Sequence, residues 1–289
     1  MLQLFTDTDT DVTPEQAKEY GYKLISMPYS VKGKTVFPYE DFETFDAHAF
    51  YQTLRTGTLP STSAISKEKY LAYFEPEFAT GNDIFYVHFS RAMTATFDAM
   101  DLAVKELREK YPDRKFYEVD TKGITIISLN IVLTIGDLFL AGKTPEEVLD
   151  WAKTEVDRFA VYFFADDLKF FARSGRVSGI AGAMGSILGI RPIIYMNEEG
   201  KMVSIGKETG RNNAIKRLLS YVDTLGDDLY NYRVIVGHAD APQIAGKIVS
   251  ALREKYGEKL TVLLADVNPT AGSHCGPDTV GVCFHAIHR

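Results

Sequence analysis

The chain has only two cysteines among its 289 residues. That is too few for a disulfide framework and fits a reducing compartment. It also lacks excess positive charge: 32 Lys and Arg stand against 39 Asp and Glu, a net charge of −7. Nucleic-acid binding needs a basic surface to meet phosphates, so that class is excluded. An anionic membrane surface is disfavoured for the same reason. No apolar run approaches the ~18 residues of a membrane-crossing helix. The opening Met-Leu-Gln-Leu-Phe-Thr-Asp has no charged segment ahead of an apolar one, so no signal peptide is expected. The glycine-dense stretch 174–189 is followed by no Gly-Lys-Ser/Thr and contains no Gly-x-Gly-x-x-Gly. It is therefore neither a P-loop nor a dinucleotide fingerprint. A Gly-x-Ser-x-Gly nucleophile elbow is missing too. These gaps lead to the expectation of a soluble cytoplasmic protein with no cofactor and no metal of its own.

What is present is ample core. Hydrophobic residues make up 45% of the chain, and the length suits two domains. Strand-like and helix-like stretches alternate, which predicts an α/β fold. Strands are predicted over 2–6, 22–31, 84–89, 116–119, 161–164, 233–237, 261–265 and 280–285, with a hairpin of 193–195 and 201–206 about Asn197-Glu-Glu-Gly200. Helices are predicted over 41–56, 66–74, 94–111, 212–225 and 241–256. Thr13-Pro14-Glu15-Gln16 and Thr144-Pro145-Glu146-Glu147 are capping boxes with proline at the first helical position. The segment 125–140 is mostly apolar all round, so it should be a buried helix. The texture changes near residue 160, where a boundary between domains 1–160 and 161–289 is expected.

Four clusters carry unusual chemistry. Pro60-Ser61-Thr62-Ser63-Ala64-Ile65-Ser66 sets four hydroxyls ahead of a helix. This is either an ordinary N-cap or a donor group for a carboxylate or phosphate. Ser90-Arg91-Ala92-Met93-Thr94-Ala95-Thr96 follows a buried strand and precedes a helix, where ligands sit in open α/β sheets. Gly175, Gly179, Gly182, Gly185 and Gly189 recur at helical spacing and suggest a glycine face, for tight packing or close approach to a ligand. Asn268-Pro-Thr-Ala-Gly-Ser-His274-Cys-Gly276-Pro-Asp278-Thr-Val-Gly281 reads as a rigid loop holding a histidine among free backbone N–H groups. Such a loop suits an anion site or a catalytic base.

Two further patterns need weighing. Asp9-x-Asp11-x-Thr13 follows a strand, as the nucleophile and acid do in Mg²⁺-dependent phosphatases of the haloacid-dehalogenase type. The pair sits two residues too far from the strand for that role. His274, Cys275, Cys283, His285 and His288 have zinc-ligand chemistry, but Cys-x-His-x-x-His on a strand alternates faces.

In order along the chain, these segments resemble the DegV family of fatty-acid-binding proteins. Thr6-Asp7-Thr8-Asp9-Thr10-Asp11 is similar to its Thr-Asp-Ser-x-x-Asp opening. The Thr62-Ser63 and Ser90–Thr96 clusters, Gly175-Arg176-Val177-Ser178, the stretch from Gly189, and Gly272-Ser-His274-Cys-Gly276-Pro277 match its later motifs. The resemblance implies two α/β domains of the DegV-like (EDD) fold. The N-terminal sheet would be largely parallel and the C-terminal sheet mixed or antiparallel. It further implies a single long-chain fatty acid between them, and a separate ATP-dependent fatty-acid kinase that phosphorylates the bound carboxylate for phospholipid synthesis. The protein would then be a carrier, with no catalytic residue and no stable membrane anchoring. Carried over by residue, Thr62 and Thr94 would bond the carboxylate, with Arg176 and His274 at the head group. Ser63, Ser90, Thr96 and Gly276 are second choices. A stand-alone acyl hydrolase using Ser63 or Thr94 with His274 is the competing enzyme reading, beside the Asp9/Asp11 phosphatase.

This sequence departs from the family pattern at several places, with Ala64-Ile65 for its Gln-Pro, Arg91 for a Ser and Ala95 for a Gly. Ile127 and Leu129 stand where it has glycines, which would narrow or bend a tail pocket. Asp278 replaces another glycine and would add an acid near the head group.

Overall fold

The computed structural model describes residues 1–179 and 189–289. Leu2–Asp7 runs between Tyr22–Ile25 and Asp83–His88, and Phe116–Asp120 completes an all-parallel four-stranded sheet. Parallel pairing requires crossovers, and the helices Pro14–Tyr20 and Thr96–Lys110 supply two of them. The first begins at a full capping box: Thr13 Oγ1 accepts from Gln16 N at 3.3 Å, and Gln16 Oε1 accepts from Thr13 N at 3.0 Å. Thr144 and Glu147 repeat the device ahead of Pro145–Glu155.

From Phe159 onward the chain builds a seven-stranded mixed sheet. Its order is Val262–Asp266, Val234–His238, Val280–His285, Phe159–Phe164, Ile190–Met196, Met202–Thr209, Val177–Ser178. The hairpin turns at Asn197–Gly200 as expected, with Asn197 Oδ1 accepting from Lys201 N at 2.8 Å. The predicted strand 22–31 is split: Tyr29–Val31 leaves the parallel sheet and pairs instead with Lys34–Val36 and Ser61–Thr62 in a small antiparallel sheet.

The helix Ile126–Leu140 is buried on all sides from Ile126 to Gly136. It packs on Val234–His238, Val280–His285 and Phe159–Phe164 of the second sheet, and on Asp83–His88 of the first. One apolar core therefore runs from Leu4 to Cys283 through both halves of the chain.

Several expected elements differ. The second helix is Ala47–Arg55, shorter than 41–56, because Asp46 caps it through Ala49 N at 2.9 Å. The third, Lys67–Ala79, continues through Pro76, with Phe74 and Phe78 buried one turn apart. The largest correction concerns the histidine segment. Pro269–Cys275 is a helix, not a loop. Asn268 Oδ1 accepts from Ala271 N at 2.9 Å, Pro269 occupies the first turn, and Gly276 ends the helix at φ +72°. Residues that usually break helices here mark its start and stop. Gly175, Gly179 and Gly189 all have positive φ, which is turn geometry rather than a helical glycine face. Gly182 and Gly185 lie outside the described residues.

Candidate functional site

Between the two sheets lies a cavity of about 250 Å³. Its walls are apolar: Met27, Phe89, Met93, Phe163, Phe171 and Met196 are among them. Its polar groups are Thr62, Ser63, Thr94, Thr96, Arg176, His274, Asp9, Thr125, Thr270 and Thr279. Four residues expected at a carboxylate, namely Thr62, Thr94, Arg176 and His274, thus line one cleft although they are distant in sequence.

Each is positioned by a different element. Thr62 pairs with Tyr29 across the small sheet. Thr94 follows a short 3₁₀ turn, Arg91–Met93, and its hydroxyl accepts from Thr96 N at 3.1 Å. Arg176 leads into the edge strand Val177–Ser178 and donates to Ser174 O at 3.0 Å. His274 sits in the last turn of Pro269–Cys275. That helix is clamped to the N-terminal half. Asp11 Oδ1 accepts from Asn268 N at 2.9 Å and Nδ2 at 2.7 Å; Thr270 donates to Met27 O at 2.7 Å; the buried Tyr51 hydroxyl donates to Val267 O at 2.8 Å.

His274 Nε2 lies 2.8 Å from Thr62 Oγ1, and Arg176 Nη1 donates to His274 Nδ1 at 3.4 Å. A guanidinium has no lone pair to offer, so Nδ1 must be the acceptor and Nε2 carries the proton. Nε2–H then donates to Thr62, whose own hydroxyl hydrogen is free to donate into the cleft. Burial, with Arg176 and Arg173 adding to it, pushes His274 down to about 3. The imidazole is neutral, and the positive charge at this end of the cleft is that of Arg176.

The second-choice residues divide. Ser63 and Thr96 line the cleft, Thr96 Oγ1 also accepting from Ile65 N at 3.2 Å. Ser90 does not: it is buried, and its hydroxyl donates to Gly200 O at 2.8 Å. Gly276 does not either; it ends the helix against Phe170, which a Cβ would meet at 2.2 Å. Ile127 and Leu129 are buried outside this cleft, and only Thr125 and Ile126 of the apolar helix reach it. Asp278 turns away from it. Its carboxylate accepts from Arg55 Nη2 at 3.0 Å, and its φ of +62° explains a preference for glycine at that position.

The enzyme readings find less support in this geometry. Neither Ser63 nor Thr94 is bonded to His274, whose two nitrogens face Thr62 and Arg176. Asp9 lines the main cleft, whereas Asp11 is held by Asn268 and lines a separate cavity, so the two do not converge. The zinc-type residues scatter. Cys275 faces Gly272 O and Gly276 O, Cys283 meets Asn130, and His285 meets Asp227 O and Glu155. No metal-ligating cluster occurs among the described residues.

Residues 1–286 match the family model described as "Uncharacterised protein, DegV family". A DegV domain-containing protein of Clostridium perfringens is 29% identical over 281 residues, covering 97% of this chain and 96% of its own. A DegV lipid binding protein of Thermotoga maritima superimposes with a TM-score of 0.83 at 23% identity, over 100% and 99% of the two chains. DegV of Bacillus subtilis, a fatty acid binding protein, does so at 0.83 and 21%, over 99% of each. A stearic acid-binding protein of Eubacterium ventriosum reaches 0.86 at 17%, over 98% and 97%. At these identities the structural likenesses establish the shared fold.

Proposed function

The chain belongs to the DegV family, and from that premise we propose that it binds one long-chain fatty acid in the cleft between its sheets. The observation that carries this reading is the cleft itself: apolar walls converging on Thr62, Thr94, Arg176 and the neutral His274. Thr62 and Thr94 donate hydroxyl hydrogens to the carboxylate, and Arg176 supplies its countercharge. Ser63 and Thr96 stand behind them. About fifteen buried methylenes at ~0.8 kcal/mol each give a gross ~12 kcal/mol. Ordering costs reduce this, and micromolar or tighter retention follows.

The same reading makes the protein a carrier in the cytoplasm that presents the carboxylate to a separate ATP-dependent fatty-acid kinase. The acyl phosphate formed there then enters phospholipid synthesis. The halves 1–160 and 161–289 act as two domains that enclose the tail. Native mass spectrometry and solvent extraction of the purified protein test the binding step, with a stoichiometric C14–C18 acid expected. An empty protein with Mg²⁺-dependent phosphatase activity, lost in Asp9→Asn, would sink it. With a kinase supplied, Arg176→Ala and His274→Ala should slow acyl-phosphate formation; wild-type rates would remove their presenting role.

A further inference from the structure

Three aspartates crowd the turn after the first strand, and two are committed. Asp7 accepts from Asp9 N at 3.0 Å, Tyr86 Oη at 3.1 Å and Phe89 N at 3.2 Å. Asp11 Oδ1 accepts twice from Asn268, while its Oδ2 is buried without a partner among the described residues. Asp9 differs. Its main-chain oxygen accepts from Thr125 N at 2.8 Å, but its buried Oδ1 has no partner among the described residues, and the residue lines the main cleft. A buried carboxyl group that makes no hydrogen bond and borders a ligand cleft is costly unless the ligand completes it.

The surrounding charges limit how it is completed. Asp7 and Asp11 act on Asp9 from its own turn, and Arg176, which lines the same cleft, opposes them. His274, from the helix Pro269–Cys275, is neutral. Arg173 is exposed and does not line the cleft. Arg176 is thus the one cation lining it among the described residues. A bound carboxylate already matches that charge. A second, ionised carboxylate at Asp9 would leave one buried negative charge unopposed, and two carboxyl groups in one site resolve that by retaining a proton.

We propose that Asp9 belongs to the head-group site and shares one proton with the ligand's carboxylate, so that the pair carries a single negative charge opposite Arg176. The Asp9 carboxylic O–H donates to a carboxylate oxygen of the ligand. No bond other than this hydrogen bond is made, and the proton comes from Asp9, whose acid form burial favours. Burial, and the neighbouring Asp7 and Asp11, raise Asp9 well above the ordinary aspartate range, in keeping with this. The inference rests on the fatty-acid reading above.

Infrared difference spectroscopy tests it at pH 8, on wild type and Asp9→Asn, each loaded with palmitate ¹³C-labelled at its carboxyl. The wild-type complex should show a protonated-carboxyl band that Asp9→Asn lacks, whether or not the label shifts it. Identical spectra in that region would overturn the shared proton. A second readout needs no variant: wild-type affinity for palmitate should fall as pH rises through the ionisation of Asp9 in the empty protein. An affinity that rises with pH above 7 would overturn the proposal even if Asp9→Asn failed to fold. Wild type that takes up no palmitate at all would overturn the fatty-acid reading beneath it.

Discussion

Arg176 Nη1 donates to Nδ1 of His274 at 3.4 Å, and this contact selects the imidazole tautomer. The proton on Nε2 points at Thr62, 2.8 Å away, and turns the threonine hydroxyl towards the cleft. His274 therefore works as a neutral donor that orients another donor. Held near 3 by burial and two arginines, it should not titrate between pH 5 and pH 8 in the ligand-free protein. NMR of the imidazole should show the Nε2–H tautomer throughout that range. Because the shift is downward, His274 weakens the fold as pH falls from 6.5 towards 3. A midpoint near 6.5 would mean that the imidazole is exposed or paired with an acid.

Thr62→Val should remove one donor to the ligand's carboxylate while keeping the side-chain shape. A hydrogen bond to a charged group is worth about 1.5–3 kcal/mol, so affinity for palmitate should drop roughly ten- to 150-fold. Thr62 is only partly buried, and folding stability should change little. Calorimetric titration and thermal melting separate the two effects. Unchanged affinity would place the carboxylate elsewhere.

Periodicity and capping made most of the architecture legible. The two capping boxes, the mostly apolar 126–140 helix and the hairpin about Asn197 lie where alternation and turn chemistry put them. The histidine segment reads as a loop because Asn268-Pro269 and Gly276 punctuate loops, although the same residues also start and end helices. Ser90 carried the right chemistry, but its hydroxyl is consumed by Gly200 O, a partner 110 residues away that no local pattern shows. The two-residue strand Ser61–Thr62 is too short to leave a period. Asp9, Asp7 and Asp11 look equivalent in sequence; only the tertiary partners of the other two single out Asp9.

Asp278→Gly should be neutral or stabilising. A non-glycine residue at φ +62° stores strain of order 1 kcal/mol, and the partly exposed pair with Arg55 offsets roughly 0–1 kcal/mol of it. Thermal unfolding should move by no more than a few degrees, and palmitate affinity should hold, since Asp278 lies outside the cleft. A marked loss of either would give the Arg55 pair a larger part than its exposure suggests.

Asp11 is raised to about 7, chiefly by burial, with Asn268 pulling the other way. A carboxyl raised on folding contributes stability below its unfolded value near 3.8 and loses it as pH climbs through 7. Asp11→Asn keeps an oxygen for the Asn268 donors and cannot ionise. Measured by urea unfolding, the variant should gain on wild type as pH rises from 4 to 7, by on the order of 3 kcal/mol, and hold that gain above 7. A constant difference across this range would show that Asp11 ionises normally in the folded protein.

Gly272→Ala tests how the helix carrying His274 is seated. A Cβ at Gly272 would stand 2.4 Å from the Tyr51 hydroxyl and 2.9 Å from its ring carbon Cζ. Tyr51 is fully buried and tied to Val267 O, so it cannot swing aside. Overpacking of this kind costs about 1–3 kcal/mol. Here it also presses Pro269–Cys275 away from the helix Ala47–Arg55 that carries Tyr51, which disturbs the His274–Thr62 contact. Both the melting temperature and palmitate affinity should fall. Tyr51→Phe removes the atom nearest the clash, so the double variant should lose less stability than the two single losses added together. Strict additivity would mean that the helix accommodates the methyl without pressing on Tyr51.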